Sequence, residues 1–454
     1  MDVLRSALPL IKGPAVIIPV LRSLHRPIKA LTSIHQRHGD LVLARFFNKK
    51  LLFVRHPEHI EEVYAQEARG LLSRDFLYEA KKSLFGDGLV NSKTEIWTKQ
   101  RRLMQPIFTK EAISEWEKVF IQEATRANAR LLSVAPGPIN LSIELKQLIQ
   151  RIFIQVLMGR SVDTLPNSKE LIQAIEIISA GLLLQIVAQI ISNGTLMTLM
   201  PSKNRSYHAA VNQLSDFMSQ EVTRQQQTAE HSLISVMQQA SDTKTGYSMT
   251  PMLLKDEAIN LFFAGQDTAL NTLAWFFYLI GRNESVHNKI TNEVRKYQDV
   301  SLNAANLEKM TYTRAALYET LRLYPPAAAL ATQAIAEVAI DDFAIDQDTI
   351  VILSMYAAHR HPGFWEKPND FYPEHFLNLT SETKRHKYAY FPFGGGLHNC
   401  IGRHFAELEM MIIIVTLLRV FTFKTSGDIQ EAASITLKPN KDIIADMSVG
   451  SDLG

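Results

Sequence analysis

The densest chemistry in the sequence lies between Phe391 and His404: Phe-Pro-Phe-Gly-Gly-Gly-Leu-His-Asn-Cys-Ile-Gly-Arg-His. It holds the one cysteine of the chain, Cys400, just before Gly402, where an amphipathic helical pattern opens. A thiol at a helix start meets unpaired amides and the positive end of the helix dipole, which lower its pKa and favour thiolate. Three glycines in succession permit left-handed backbone angles and a close approach to a flat ligand. Four chemistries compete for this pattern. Zinc, held by His398, Cys400 and His404, lacks a second cysteine and a fourth ligand at finger spacing. A phosphate loop needs a strand-turn-helix unit and a following Lys-Ser/Thr, and neither is present. A Cys-His nucleophile needs an orienting acid that the sequence does not place. A single thiolate as axial ligand of haem iron accounts for both the glycines and the lack of other cysteines.

Two further clusters stand on helical runs. Ala264, Gly265, Gln266, Asp267 and Thr268 interrupt the nearly all-apolar run from Pro251 to Arg282 with residues unfavourable to a helix interior. A bend or a binding groove is expected there; the plainer alternative is a packing glycine with a threonine bonded back to the preceding turn. Glu319 and Arg322, at i and i+3 on the helix that Pro325 and Pro326 must end, form either a surface ion pair or, given Leu317, Leu321 and Leu323, a partly buried one.

The elements that must carry these groups are mostly helical. Apolar residues recur at three-and-four spacing over Thr109 to Leu132, Leu141 to Met158, Ser206 to Gln227, Pro251 to Arg282, Ser285 to Tyr297, Tyr312 to Leu323 and Gly402 to Val420. Alternation marks short strands at Leu41 to Arg45, Lys50 to Val54, Val338 to Ile340, Thr349 to Leu353 and Ile435 to Leu437. The fold class is therefore mainly α with small accessory sheets. With 454 residues, 46% hydrophobic and 21% charged, the chain is neither disordered nor fibrous nor a disulfide miniprotein. A formal charge of +2 gives no global field toward nucleic acid. A single cysteine forms no internal disulfide, so a reducing compartment, the cytoplasm, is expected. The run Ala15 to Leu21, broken by Pro14 and Pro19, reads as neither signal peptide nor spanning helix. Ile177 to Met200 carries no charge and has spanning length, but Gln185, Gln189, Ser192, Asn193 and Gly194 interrupt it. It is expected to be a buried helix followed by an apolar lid or loop, with peripheral membrane contact as the other reading and no transmembrane anchor.

Phe393-x-x-Gly396-x-x-x-Cys400-x-Gly402 resembles the haem-binding signature of the cytochrome P-450 family. Trp97-x-x-x-Arg101, Ala264-Gly265-x-Asp267-Thr268, Glu319-x-x-Arg322 and Pro373-Glu374-His375-Phe376 follow in the family's order, so the resemblance spans nearly the whole chain. It implies one haem domain over 1–454, a large helical part with β-rich parts near 35–60 and 330–360, and haem b between the mid-chain helix and the helix after the cysteine. It implies monooxygenase activity on a lipophilic substrate such as a fatty acid, terpenoid or steroid, with dioxygen as co-substrate. Peroxide-driven or isomerase chemistry and a non-catalytic haem sensor are the alternatives. By the same resemblance Cys400 is the proximal ligand, Phe393 shields its sulfur, and Gly396 and Gly402 let amides reach it. Trp97, Arg101 and His398 bind the haem propionates. Asp267 and Thr268 are an acid-alcohol pair delivering protons to dioxygen, with Ala264 and Gly265 making room. Phe76, Leu84, Phe262, Phe263, Ala329 and Leu330 fall in pocket-lining regions, as does Ile177 to Met200.

Two positions depart from the family pattern. His375 stands where an arginine usually completes a triad with Glu319 and Arg322, so that network is expected to be weaker or differently hydrogen-bonded. Gln333 stands where an arginine often meets a propionate, which shifts the clamp onto Arg101 and His398. No flavin or iron-sulfur domain is recognisable, so electrons are expected from an external ferredoxin or flavodoxin with its reductase. Lys99, Arg101, Arg102, Lys384, Arg385, Lys387 and Arg403 flank the cysteine-side motifs and offer a basic face for docking it.

Overall fold

The computed structural model describes residues 10–11, 27–46, 48–165, 168–228, 230–377, 385–432 and 434–450. The run Ala15 to Leu21 and Lys384 lie outside them. The helices that build the site are α1 (Pro57–Ala68), α2 (Tyr78–Phe85), α3 (Thr94–Met104), α4 (Glu117–Leu132), α5 (Leu141–Met158), α6 (Ser168–Ser192), α7 (Pro201–Gln227), α8 (Pro251–Arg282), α9 (Glu284–Lys296), α10 (Thr311–Leu323) and α11 (Arg403–Leu418). Local chemistry sets their limits. Asn140 caps α5 by accepting the Ile143 N–H at 3.1 Å, and Gly159, at φ +70°, stops it in the left-handed region that favours glycine. Thr250 caps α8 through the Leu253 N–H at 3.2 Å, with Pro251 in the first helical position.

The main core lies among α4, α5, α7, α8, α10 and α11, where Phe120, Leu148, Ile152, Leu214, Leu273, Phe276, Leu317 and Ile413 are buried together. A six-stranded sheet joins β1 (Leu10–Ile11), β2 (Leu41–Phe46), β3 (Lys49–Val54), β4 (Leu72–Ser73), β5 (Leu330–Ala334) and β6 (Ile350–Leu353) in the order β1-β2-β3-β6-β5-β4. Leu52 of β3 pairs with Leu43 of antiparallel β2 and with Val351 of parallel β6, and these residues share a second core with Tyr64 of α1 and Tyr388.

Several expectations are corrected. Thr109 to Leu132 is not one helix. A short helix, Lys110–Ile113, gives way at Ser114, whose hydroxyl bonds the Glu111 carbonyl at 2.6 Å, to a tight turn that precedes α4. Ile435 to Leu437 is not a strand; Lys438–Pro439 pairs with Glu431–Ala432 instead. The uncharged segment is not a wholly buried helix either. The stretch Glu170–Ile190 of α6 has mean hydropathy 2.0, enough to cross a membrane by length and composition, yet only 28% of it is buried. Leu171, Ala174, Ile178, Leu182 and Ala188 form the inward stripe. At Gly181 a Cβ would lie 2.6 Å from the Tyr207 ring of α7, so glycine permits the close helix contact. The helix ends at Ser192, and Leu199 of the following turn is 76% exposed.

Candidate active site

The cysteine loop is closed by the Cys400 N–H donating to the Phe393 carbonyl at 2.7 Å, and the Gly394 N–H donates to the Phe391 carbonyl at 2.8 Å. Gly394 and Gly396 take φ of +72° and +61°. The reason for glycine differs in part from the expected approach to a ligand. A Cβ on Gly395 would sit 2.5 Å from Tyr388, and one on Gly396 would sit 2.8 Å from Tyr64, so the loop is pressed against the two rings beneath it. Gly402 caps α11, and its N–H reaches the Cys400 sulfur. Burial nonetheless pushes the thiol pKa up, against the pull of that amide and of Arg101 and Arg403. The lowering expected from the helix start alone is therefore overridden, and a metal cation at the sulfur is what would leave it deprotonated.

Cys400 opens into a cavity of about 330 Å³ between α8 and α11. Its walls include Ala264, Gly265, Thr268 and Ala269 of α8, Phe405, Ala406 and Glu409 of α11, and Phe153, Leu261, Leu330, Phe393 and Gly394. The α8 helix is continuous through this turn. Thr268 Oγ1 donates to the Ala264 carbonyl at 2.8 Å, Thr272 repeats the bond to Thr268, and a Cβ on Gly265 would lie 2.1 Å from Phe153. Gly265 is thus a packing glycine, and the groove is the shallow strip along Ala264, Thr268 and Ala269. Asp267 does not reach this cavity. It lines another, of about 340 Å³, with Lys146, Glu176, Ser179 and Lys438. Burial raises its pKa, which Lys438, Lys146 and a hydrogen bond from Ser179 oppose.

A third cavity, of about 650 Å³, shares Arg74, Ala264, His398, Cys400 and Ile401 with the first, so the two adjoin at the sulfur. Trp97, Arg101, His398, Lys81 and Arg74 gather in its wall, with Phe76 and Gln333. The rings of Trp97 and His398 are 4.1 Å apart. Arg101 braces the cysteine loop, donating to the Asn399 carbonyl at 2.8 Å and to its Oδ1 at 2.6 Å. Arg74 and Lys81 carry no sequence motif, yet they stand where Gln333 leaves the wall uncharged. Burial and the neighbouring Arg74, Arg101 and Lys81 depress His398 to about 3. Burial and Arg74 bring Lys81 down to about 8. Arg74 is paired with Glu67 at 2.7 Å, and the wall that carries Lys81 and Arg101 beside it is one that a pair of carboxylates suits. A thiol at one point of an apolar slot with such a cluster beside it fits a haem with its propionates.

Of the other pocket candidates, Leu330 lines the first cavity and Phe76 the third. Leu84 and Phe262 belong to the helical core and Phe263 packs against it, while Ala329 is absent from these walls. Nor does Ile177 to Met200 line the sulfur cavity; Ser179 and Ala180 of α6 reach the Asp267 cavity instead.

Glu319 and Arg322 are both fully buried and doubly hydrogen-bonded, at 2.8 and 2.7 Å. Arg322 also donates to the carbonyls of His359 at 2.8 Å, Pro368 at 2.7 Å and Asp370 at 3.0 Å. Glu319 accepts the Tyr372 N–H at 3.0 Å and lies 3.1 Å from His375 Nδ1. His375 thus completes the network with one bond, and Arg385, stacked 4.1 Å over Trp365, bonds the His375 carbonyl. Most of the expected basic face is paired: Lys99 with Glu95, Arg102 with Asp242, Lys387 with Glu61 and Arg403 with Glu407.

The sequence profile of the cytochrome P450 family matches residues 12–444. This chain belongs to the cytochrome P450 family. Cyclooctat-9-en-7-ol 5-monooxygenase of Streptomyces melanosporofaciens is 28% identical over 399 residues, covering 86% of this chain and 84% of that one. Cytokinin hydroxylase of Arabidopsis thaliana is 26% identical, covering 80% of this chain and 71% of its own. The crystal structure of the cytochrome P450DA heme domain superposes with a TM-score of 0.85 at 20% identity over 98% of both chains, which establishes the fold. The cytochrome P450 described here is accordingly a haem-dependent monooxygenase.

Proposed function

We propose that this cytochrome P450 uses haem b to insert one oxygen atom of dioxygen into a lipophilic substrate, by hydroxylation or epoxidation. Its electrons come from a separate ferredoxin or flavodoxin with its reductase. The observation that carries the reading is Cys400 opening into an apolar cavity beside the cluster of Arg74, Lys81, Arg101 and His398. Bound haem supplies the activation of dioxygen, with two electrons and two protons entering and the second oxygen atom leaving as water.

The chain's own residues do the rest. Cys400 would hold the haem iron through its sulfur, which the Gly402 N–H bonds, with Phe393 in the same cavity wall to shield it. Trp97, Arg74, Lys81 and Arg101 hold the propionates, with the neutral His398 ring beside them. Thr268 holds water on the cavity side of α8, and Asp267 takes protons from the side of Lys146 and Lys438. Glu319, Arg322 and His375 gather the peptide from His359 to Tyr372 around one buried pair.

Phe108, Phe153, Leu233, Leu261 and Leu330 favour a substrate with few polar groups, a fatty acid, terpenoid or steroid. Unsaturated alcohols of the kind named in the Streptomyces relative are the first to test. One cysteine and no disulfide fit a cytoplasmic protein. The half-exposed outer face of α6 suits peripheral membrane contact rather than a span, because its inward stripe packs on protein.

Reduced protein under carbon monoxide should show the red-shifted band of a haem-thiolate, and Cys400→Ala should lose it. An unshifted band in folded wild-type protein would sink the assignment.

A further inference from the structure

His359 closes the short helix Met355–Ala358 and is 0% exposed, its N–H donating to the Met355 carbonyl at 2.9 Å. Its own carbonyl accepts from Arg322 of the buried pair at 2.8 Å. Its ring meets the start of the cysteine loop. Nε2 accepts the Phe391 N–H at 2.9 Å, and the two rings lie edge to face at 5.2 Å. An accepting Nε2 places the ring proton on Nδ1, which has no partner of good geometry among the described residues, although the carbonyls of Leu321 and Arg322 favour a proton on the ring. Burial, with Arg322 and Arg360 beside it, lowers the pKa to about 3, so at neutral pH the imidazole is uncharged and Nε2 remains an acceptor.

A ring that served packing alone would need no nitrogen at this point. Phe391 is 4% exposed, and a buried N–H left without an acceptor costs about 1–3 kcal/mol. From Phe391 the constraint passes along the loop: its carbonyl accepts the Gly394 N–H at 2.8 Å, and the Phe393 carbonyl accepts the Cys400 N–H at 2.7 Å. Two residues upstream, the Ala389 carbonyl takes the indole N–H of Trp365 at 3.3 Å. His359 and Trp365, both in the peptide that Arg322 gathers, therefore hold the chain just before the cysteine loop.

We propose that His359 is a positioning residue for Cys400: it carries the placement set by the Glu319–Arg322 pair to the first peptide of the cysteine loop, and so keeps the sulfur within reach of the Gly402 N–H. Hydrogen bonds to a ligating sulfur tune its metal, and partners that orient a ligand from outside are felt at the metal when they are lost. The inference rests on the reading that Cys400 is the axial ligand of haem.

Two variants separate the acceptor from the ring. H359F keeps the ring's shape and its edge against Phe391 but has no acceptor, whereas H359Q gives up the ring and offers a carbonyl oxygen about where Nε2 stands. In the haem-loaded protein, hydrogen exchange at the Phe391 amide should quicken about tenfold or more in H359F, the worth of one buried hydrogen bond, and return toward wild type in H359Q. The share of the carbon monoxide complex that absorbs at the unshifted position should rise in H359F and fall back in H359Q. Packing alone predicts the reverse order, with H359Q the worse of the two. Exchange is read at a backbone amide and does not depend on what Cys400 ligates, so an unshifted band already present in wild type would sink the haem-thiolate reading instead. The inference is overturned if Phe391 exchanges as slowly in H359F as in wild type, if the two share one band, or if H359Q does no better than H359F. Should H359F fail to fold, H359Q decides: it must fold with the exchange and band of wild type, and any other result refutes the role.

Discussion

Replacing Glu319 with glutamine tests whether the buried pair organises the peptide behind the cysteine loop. The substitution keeps shape and leaves Arg322 charged, fully buried and still bonded to the carbonyls of His359, Pro368 and Asp370. What disappears is the opposite charge held by two bonds of 2.7 and 2.8 Å, and the Gln side chain cannot accept from Arg322, Tyr372 and His375 with two oxygens. Breaking a buried pair on one side costs about 3–5 kcal/mol, because an uncompensated charge is left in the interior. With an unfolding entropy of about 2.1 cal/mol/K per residue, a chain of this length has a slope near 1 kcal/mol per degree. The expected fall in Tm of the haem-loaded protein is therefore only about 3–5 °C, small despite a large local loss. Urea unfolding followed by tryptophan fluorescence gives the free energy directly, and Trp365, which Arg322 and Arg385 flank at 4.7 and 4.1 Å, reports on the site itself. Removing both charges, as Glu319→Leu with Arg322→Met, should cost less than the two single changes together. A loss below about 1 kcal/mol for Glu319→Gln, the range of exposed pairs, would refute the account.

Three further outcomes follow from the same geometry. Thr268→Ala should divert electrons into peroxide, read as the ratio of product to reducing equivalents used; an unchanged ratio would remove Thr268 from water placement. Lys81→Met should speed loss of haem to an acceptor apoprotein by about tenfold or more, the value of one charge-assisted bond, if Lys81 answers a propionate. An unaltered rate would leave that clamp to Arg74, Arg101 and His398. Glu257, fully buried in α8 and accepting the Leu89 N–H at 3.0 Å, is raised by burial to about 8 from its ordinary 4.5. The folded protein therefore holds a proton that the unfolded chain releases between pH 4.5 and 8, so this contribution is complete below pH 4.5 and is lost as pH rises to 8. Its upper bound is about 5 kcal/mol, and Glu257→Gln should flatten the pH dependence of urea stability across that window while keeping the Leu89 bond. A slope as steep as the wild type's would contradict the buried neutral acid.

What could be read from the residues depended on range. The limits of α5 and α8 are visible because a cap and a proline or glycine stand beside a strong apolar period. The helix α3 is polar along most of its length and has only a few apolar residues, Trp97, Leu103 and Met104 among them, so no apolar run marks it even though it carries Trp97 and Arg101. The strands Phe421–Thr425 and Ile444–Val449 gain their order by long-range pairing, with each other and, for Ile444–Val449, with Gly137–Asn140 as well. Cys400, Gly402, Asp267 and Thr268 are legible because their chemistry is set within one turn or loop. Arg74 and Lys81 are not, since a lone cation in a polar stretch has no local pattern and only the folded chain brings it beside His398. Glu409 left a fainter trace: it falls in phase with Phe405 and Ile412 on the apolar side of its helix, where an acid has no reason to be.

The adjacency of Asp267 and Thr268 then has a geometric meaning. Consecutive helical residues point about 100° apart, whereas residues at i and i+4 share a face. Spaced four apart, an acid and an alcohol would line one cavity and compete for the same water. Side by side, they line two: Thr268 shares a wall with Cys400, and Asp267 one with Lys146, Glu176 and Lys438. The α8 turn from Ala264 to Thr268 is the partition between these spaces, and Gly265, pressed on Phe153, leaves no side chain to thicken it. Under the proposed proton delivery, a proton would pass between neighbouring residues of one helix rather than through an open channel. That keeps Asp267 out of the sulfur cavity while it stands one residue from Thr268.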